Sequence, residues 1–316
     1  MHRDLRIVFM GTPEFAVTTL DTIIKNGYNV VGVITAPDRP AGRGQKLKES
    51  AVKEYAKAKG LPILQPTNLK NPTFHEALKA LEPNLQVVVA FRMLPEVVWR
   101  LPEFGTFNLH ASLLPNYRGA APINWAIMNG DVVTGVTTFF IDEKIDTGEM
   151  ILQKQVDIDP NESAGELHDK LMHVGADLVV DTLEGIAKNN IKTIPQPKDA
   201  IFNTAHKLNK DNCKIDWSLP LKSIYDHIRG LSPYPAAWCY LKNGQDELAI
   251  KIYRTHFEAK NHNMDFGSIL IEDKMIKVGV QGGYIIIDEI QLPGKRKMAS
   301  KDLLNGFSFV EEAKML

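Results

Sequence analysis

The chain has 316 residues, is 44% hydrophobic and 24% charged, and carries a formal net charge of −1. That length predicts two domains with ordinary globular cores, and the near-neutral charge excludes binding of nucleic acid by bulk basicity, so such a partner needs local basic patches. Cys213 and Cys239 form neither a C-x-x-C pair nor a ligand cluster, and no apolar run is long enough for a signal peptide or a membrane span, so the expectation is a reduced cytoplasmic protein without a metal site or disulfide framework.

The first half alternates strand and helix. Residues 5–10 read as a buried strand and 11–14 as a turn; a helical pattern then runs to the stop at Asn26-Gly27, with Pro13 suited to a helix start. A strand at 28–35 leads into a polar loop at 36–48. A helix from 49, a strand at 62–64, a helix at 68–81 and a strand at 85–91 follow. Val87-Val88-Val89-Ala90 is a continuous apolar run of the kind covered on both faces. These elements predict an α/β fold with a Rossmann-like, doubly wound, mostly parallel sheet. Next come a helix at 121–129, strands at 133–141 and 149–158, and an amphipathic helix at 163–188. Ser163 is its N-cap and Glu166 completes a capping box.

Asn189-Asn190 and Pro195-Gln196-Pro197 then mark a linker. A helix at 221–231 precedes short strands at 237–242, 248–257, 267–271, 274–280 and 284–290, separated by glycine turns. Their spacing predicts a small β-barrel. The expected organisation is a domain over 1–189, a linker over 190–206 and a smaller domain over 207–316. The last of these holds 16 Lys and Arg against 14 Asp and Glu, a weak basic bias. Trp217, Trp238 and Tyr240 are expected in the barrel core.

The segment Asn108-Leu109-His110-Ala111-Ser112-Leu113-Leu114-Pro115, with Asp146 downstream in Ile145-Asp146-Thr147-Gly148, carries the clearest chemistry. Apolar–polar alternation sends Asn108 and His110 from one face of a strand and Phe107 and Leu109 into a core. An amide, an imidazole and a carboxylate suit attack by an amine on a carbonyl-type carbon. Asn108 N–H and protonated His110 stabilise the oxyanion, His110 or a water held by Asp146 takes the amine proton, and Asp146 orients His110. The alternative is a turn-capping Asn108 and a semi-buried structural His110. Ser112 lies in no G-x-S-x-G elbow, which disfavours a serine hydrolase. Gly11-Thr12-Pro13 lacks the dinucleotide fingerprint and reads as a strand–helix turn, and no P-loop is present.

Two basic stretches stand out. Asp38 to Lys48 contains Arg39, Arg43, Lys46 and Lys48 with two glycines, and Pro293-Gly294-Lys295-Arg296-Lys297 lies in the smaller domain. Both suit phosphates, although solvated surface charge explains such runs equally well.

At these residues the chain resembles the methionyl-tRNA formyltransferases, a branch of the folate-dependent formyltransferases, over nearly its full length. Thr106 to Trp125 looks like the central signature of the family. The basic loop 37–47, Lys214-Ile215-Asp216-Trp217 with Ile228-Arg229-Gly230-Leu231-Ser232-Pro233, and Pro293-Gly294-Lys295-Arg296 are similar to features of the tRNA-specific branch. The resemblance implies transfer of a formyl group from 10-formyltetrahydrofolate to methionyl initiator tRNA, with no metal, by a monomer. It implies that Asn108, His110 and Asp146 are catalytic. Folate would be contacted by Ser112, Leu113, Leu114 and Pro115, and by Phe91 and Met93 in a pterin-side loop that lacks the family's glycine. Arg39, Arg43, Lys46, Lys295, Arg296 and Lys297 would bind tRNA, the last three from an OB-type barrel. Glycinamide ribonucleotide or an amino sugar as acceptor, and a silent tRNA- or folate-binding protein, are the competing readings.

Overall fold

The computed structural model describes residues 3–41, 46–197 and 201–316. By Cα packing the chain forms two compact units. The first comprises Met1–Gly119, Thr134–Val156 and His168–Thr204, and the second comprises Ala120–Val133, Asp157–Leu167 and Ala205–Leu316.

In chain order the elements of the first half are β1 (Arg6–Gly11), α1 (Glu14–Lys25), β2 (Asn29–Ile34), β3 (Arg39–Ala41), β4 (Lys46–Lys48), α2 (Ala51–Ala58), β5 (Ile63–Leu64), α3 (Pro72–Ala80), β6 (Leu85–Val89), α4 (Glu96–Trp99), β7 (Thr106–His110), β8 (Arg118–Gly119), α5 (Pro122–Met128), β9 (Val133–Phe140), β10 (Met150–Asp157) and α6 (Ala164–Ala187). Seven of the strands form one sheet in the order β10-β9-β7-β6-β1-β2-β5. The pairs β1–β2, β1–β6, β2–β5 and β6–β7 are parallel, and β9 runs antiparallel to β7. The expected Rossmann-like sheet is thus present, with an antiparallel extension. Residues 85–89 are all buried, as a strand covered on both faces requires.

The order reverses between β6 and β1, so the carboxyl ends of these strands form the crevice where open α/β sheets bind ligands. Gly11 closes β1 because a Cβ there would stand 2.5 Å from Ala16 Cβ and 3.0 Å from the Val89 carbonyl oxygen. The turn therefore brings α1 tightly onto the sheet, as a strand–helix turn without a cofactor loop does. Phe107 and Leu109 enter the core. Phe107 is fully buried, which contributes about 1.5–3 kcal/mol relative to exposure.

The polar stretch 36–48 differs from its expectation as a loop. Arg39 pairs with Lys48, and Ala41 with Lys46, in an antiparallel hairpin. Three-residue polar strands carry no readable period, which is why the pattern hid them.

The second unit contains α5 together with β11 (Thr204–Ala205, shared with the first unit), α7 (Leu221–Leu231), β12 (Ala237–Asn243), β13 (Asp246–Ala259), β14 (Ile269–Glu272), β15 (Met275–Val280), β16 (Gly283–Gln291), β17 (Met298–Ala299), α8 (Ser300–Leu303) and β18 (Lys314–Met315). The sheet order is β14-β15-β16-β13-β12-β18, with β17 on β16. Its two edges meet. Ser268 bridges Lys314, Met315 N donates to Gly267 O at 2.8 Å and Ile269 N donates to Ala313 O at 3.3 Å. Curling the sheet onto itself leaves no long edge free for unwanted pairing. The all-β part is therefore the expected barrel-like antiparallel sheet.

One expectation about its core is corrected. Trp217 is buried, but Trp238 and Tyr240 lie half-buried on the outer face of β12, where Ala237, Cys239 and Leu241 point inward. The two rings meet edge-to-face at 5.2 Å, with Lys210 Nζ 4.9 Å from the Trp238 ring and Lys214 Nζ 5.4 Å from the Tyr240 ring. Both alternating sets of this strand are largely apolar, so period alone cannot tell inside from outside.

Candidate active site

β7 places the first two candidate groups. Asn108 stands opposite Val88 on one side and Phe139 on the other, and His110 stands opposite Thr137. Alternation puts both side chains on one face, as expected. Asn108 is half-buried, and its side chain makes no hydrogen bond among the described residues.

His110 is buried, with a side chain 7% exposed. Its Nε2 lies 2.8 Å from the Tyr117 carbonyl oxygen. A carbonyl only accepts, so Nε2 carries the hydrogen and Nδ1 is the nitrogen free to take a proton. Nδ1 faces Asp146 Oδ2 at 3.8 Å. That separation is a charge contact rather than a direct hydrogen bond. It leaves room for a bridging group.

Asp146 sits in the turn between β9 and β10 with φ of 54°. Gly119 N donates to its Oδ2 at 2.9 Å, which fixes the carboxylate and leaves Oδ1 open. Two further restraints hold the turn. Thr147 Oγ1 donates to the Asp142 carboxylate at 2.7 and 2.9 Å. Gly148 is indispensable, because a Cβ there would stand 1.7 Å from the Phe140 carbonyl oxygen. The structure thus brings Asn108, His110 and Asp146 into one region of the first unit.

The loop after β7 is pinned from beneath. Ser112 is fully buried, and its hydroxyl donates to Asn116 O at 2.7 Å. Thr137 Oγ1 donates to Ser112 O at 2.7 Å and accepts from Leu114 N at 3.1 Å. Gln153 Nε2 donates to Leu114 O at 2.8 Å. Leu114 packs with Phe139 and Met150. Leu113 packs over Gly135, where a Cβ would stand 2.2 Å from the Lys154 carbonyl oxygen and 2.5 Å from Leu113 Cδ2. Pro115 follows through a cis peptide bond. Ser112 through Pro115 are therefore a rigid wall.

Directly after β6, Ala90 takes a φ of 48°. Phe91 is half-buried, with the Arg92 guanidinium 5.6 Å from its ring centre. Arg92 donates to the Thr67 carbonyl at 2.9 Å and to that of Pro66. Burial, and then the nearby Arg39, hold the Arg92 guanidinium below its ordinary pKa. Met93 is exposed. A cavity of about 400 Å³ opens here, lined by Thr12, Ser50 and Phe91 with the cations Arg39, Lys48 and Arg92. Three cations around one opening attract an anion.

Arg43 lies outside the described residues, and Lys46 pairs its backbone with Ala41. In the second unit Lys295, Arg296 and Lys297 are exposed. Lys297 is paired with Glu289 at 2.8 Å, whereas Lys295 and Arg296 have no ion pair among the described residues. Sequence reasoning missed Tyr117, Gly119 and Gln196, which act through backbone groups or across 50 residues of chain and leave no local pattern. Among the described residues no helix is long and apolar enough to cross a membrane.

Comparison with known proteins identifies the family and the fold. The family profile described as formyl transferase matches residues 5–183, and that described as formyl transferase, C-terminal domain, matches residues 207–308. The methionyl-tRNA formyltransferase of Flavobacterium johnsoniae is 60% identical, over 98% of this chain and 99% of its own. That of Bacteroides fragilis is 51% identical, over 99% and 98%. Among solved structures, an N-formyltransferase from Helicobacter canadensis, in complex with folinic acid and dTDP-3-aminofucose, superposes with a TM-score of 0.66. It is 22% identical and covers 90% of this chain and 98% of its own, a likeness of fold.

Proposed function

The chain belongs to the formyl transferase family, and from that premise we propose that it transfers the formyl group of 10-formyltetrahydrofolate to the amino group of methionyl initiator tRNA, for translation initiation. The observation that carries the acceptor is the 60% identity to a methionyl-tRNA formyltransferase across both matched regions.

The chemistry follows from the three side chains. The methionyl amine attacks the formyl carbon, a C–N bond forms, and charge develops on the formyl oxygen. Asn108, whose amide has no hydrogen-bond partner among the described residues, donates to that oxygen. His110 adds positive charge. Its Nε2–H is committed to Tyr117, so the second proton resides on Nδ1, on the Asp146 side. Asp146 stabilises this imidazolium and, through Oδ1, accepts the amine proton directly or through a water. Collapse of the intermediate breaks the bond to N10 of the folate, and the proton passes to that nitrogen.

Folate is a co-substrate here and no metal takes part. Leu113 and Pro115, backed by the buried Ser112 and Leu114, and the loop with Phe91 and Met93 hold it. Arg39, Arg43 and Lys46, and in the barrel Lys295, Arg296 and Lys297, hold tRNA phosphates. The catalytic domain spans 1–189, the linker 190–206 and the tRNA-binding domain 207–316. The enzyme works as a cytoplasmic monomer.

The test supplies purified protein with 10-formyltetrahydrofolate and methionyl initiator tRNA. Glycinamide ribonucleotide and an amino sugar nucleotide serve as rival acceptors, and Asp146→Asn as the control. Formyl-methionyl-tRNA formed by the wild type and formed far more slowly by the control is the expected result. Formylation of a small acceptor alone overturns the tRNA assignment.

A further inference from the structure

We propose that Gln196 is a positioning residue for the reaction, holding the turn that carries Asp146 in the backbone conformation that aims its carboxylate at His110; this rests on the reading of Asn108, His110 and Asp146 given above. Gln196 lies between two prolines in a stretch with the composition of a linker, yet it is only 7% exposed. Its immediate surroundings are ordered, since Ile194 exchanges two backbone hydrogen bonds of 2.9 Å with Met150.

The amide is used completely. Nε2 donates to the Asp146 carbonyl at 3.0 Å and to the Gly148 carbonyl at 2.8 Å. Oε1 accepts from Arg118 Nε at 3.0 Å and from a terminal Arg118 nitrogen at 2.6 Å. Two carbonyls can only accept and a guanidinium can only donate, so the orientation of the amide is determined by its partners.

Those partners are the two halves of the clamp on Asp146. One is the Asp146 main chain, held at a φ of 54°. A left-handed conformation is unfavourable for a residue with a Cβ, even for aspartate, unless its neighbours hold it. The other half is Arg118, which directly precedes Gly119, the donor to the Asp146 carboxylate. Thr147 and Asp142 close the outer side of the turn through a hydrogen bond that does not include Asp146. Among the described residues, Gln196 is the side chain that hydrogen-bonds both the backbone of Asp146 and the segment that fixes its carboxylate. The role needs two donors and an acceptor on one planar group. Leucine lacks both, and a glutamate carboxylate keeps the acceptor for Arg118 but opposes two carbonyl oxygens.

The experiment measures kcat and KM for both substrates in the full-length wild type, Gln196→Leu, Gln196→Glu, Asp146→Asn and the two double variants, with a melting temperature for each. The expected result is a kcat lower by about 10- to 100-fold in both single Gln196 variants, the loss typical of a small misplacement of a catalytic group. Both KM values should stay within about threefold, because Gln196 touches neither substrate. In the Asp146→Asn background the Gln196 replacements should cost no more than about twofold further, since they act through Asp146. Should Gln196→Leu fail to fold, Gln196→Glu, which retains the Arg118 contact, carries the comparison. Unchanged kcat, a loss confined to KM, or a loss that multiplies fully with Asp146→Asn overturns the proposal. A wild type that forms no formyl-methionyl-tRNA overturns instead the reading on which it rests.

Discussion

Asn108 and His110 differ in how the protein restrains them. His110 is held through Nε2 by a main-chain carbonyl, whereas the Asn108 amide has no hydrogen-bond partner among the described residues. Asn108→Ala should therefore lower turnover by roughly 10²–10³-fold, the loss typical of one oxyanion donor. Folate affinity, read by equilibrium binding, should change little; near-wild-type turnover rejects the role. Asn108 and His110 were legible because a strand has period two. Asp146 was legible as a candidate carboxylate in Ile145-Asp146-Thr147-Gly148, but no period places it beside His110. Its carboxylate meets His110 because a Gly119 N–H and the Gln196 amide converge on one turn, and neither contact is local in sequence.

Among the elements, the start of α6 is the clearest case of sequence specifying structure. Ser163 N and Oγ both donate to Glu166 Oε2, at 2.8 and 2.7 Å, and Glu166 N returns a bond to Ser163 Oγ at 3.3 Å. The Ser163 hydroxyl, and then its backbone N–H, hold the Glu166 carboxyl below the usual glutamate range, against the opposing effect of burial. A carboxyl depressed by folding stabilises the protein above its unfolded pKa, and that contribution is lost as pH falls through the folded value. Glu166→Ala should cost about 0.5 kcal/mol at neutral pH, toward the low end for a hydrogen bond because the side chain is exposed. Thermal melts should show the gap to wild type closing in acid; a gap that persists there rejects the assignment. The hairpin at Arg39–Ala41 and Lys46–Lys48, and the outward orientation of Trp238 and Tyr240, escaped the sequence because neither a three-residue polar strand nor an apolar–apolar alternation has a readable period.

For the whole molecule, near-zero net charge makes recognition of a polyanion depend on where the cations stand. Arg39, Lys48 and Arg92, with Glu49, line one opening in the first unit, while Lys295 and Arg296 in the second are exposed and have no ion pair among the described residues. Formylation measured at limiting tRNA should fall steeply with salt, log rate against log concentration dropping by about 0.9 for each phosphate held. Removing Lys295 and Arg296 together should reduce that slope by about 2. A flat salt response in the wild type points to a small acceptor instead.

The sequence by itself determined the order of elements, the parallel character of the first sheet, the barrel-like second sheet and the strand face shared by Asn108 and His110. Each of these follows from periods of 2 and 3.6, from turn residues and from capping, which act over a few residues. Tertiary structure alone decided that Asp146 faces His110, that Ser112 turns inward, that Trp238 and Tyr240 lie outside the barrel core and that Gln196 grips the Asp146 turn. These depend on contacts between residues far apart in the chain, whose free energy is realised only once the sheet has brought its strand ends together.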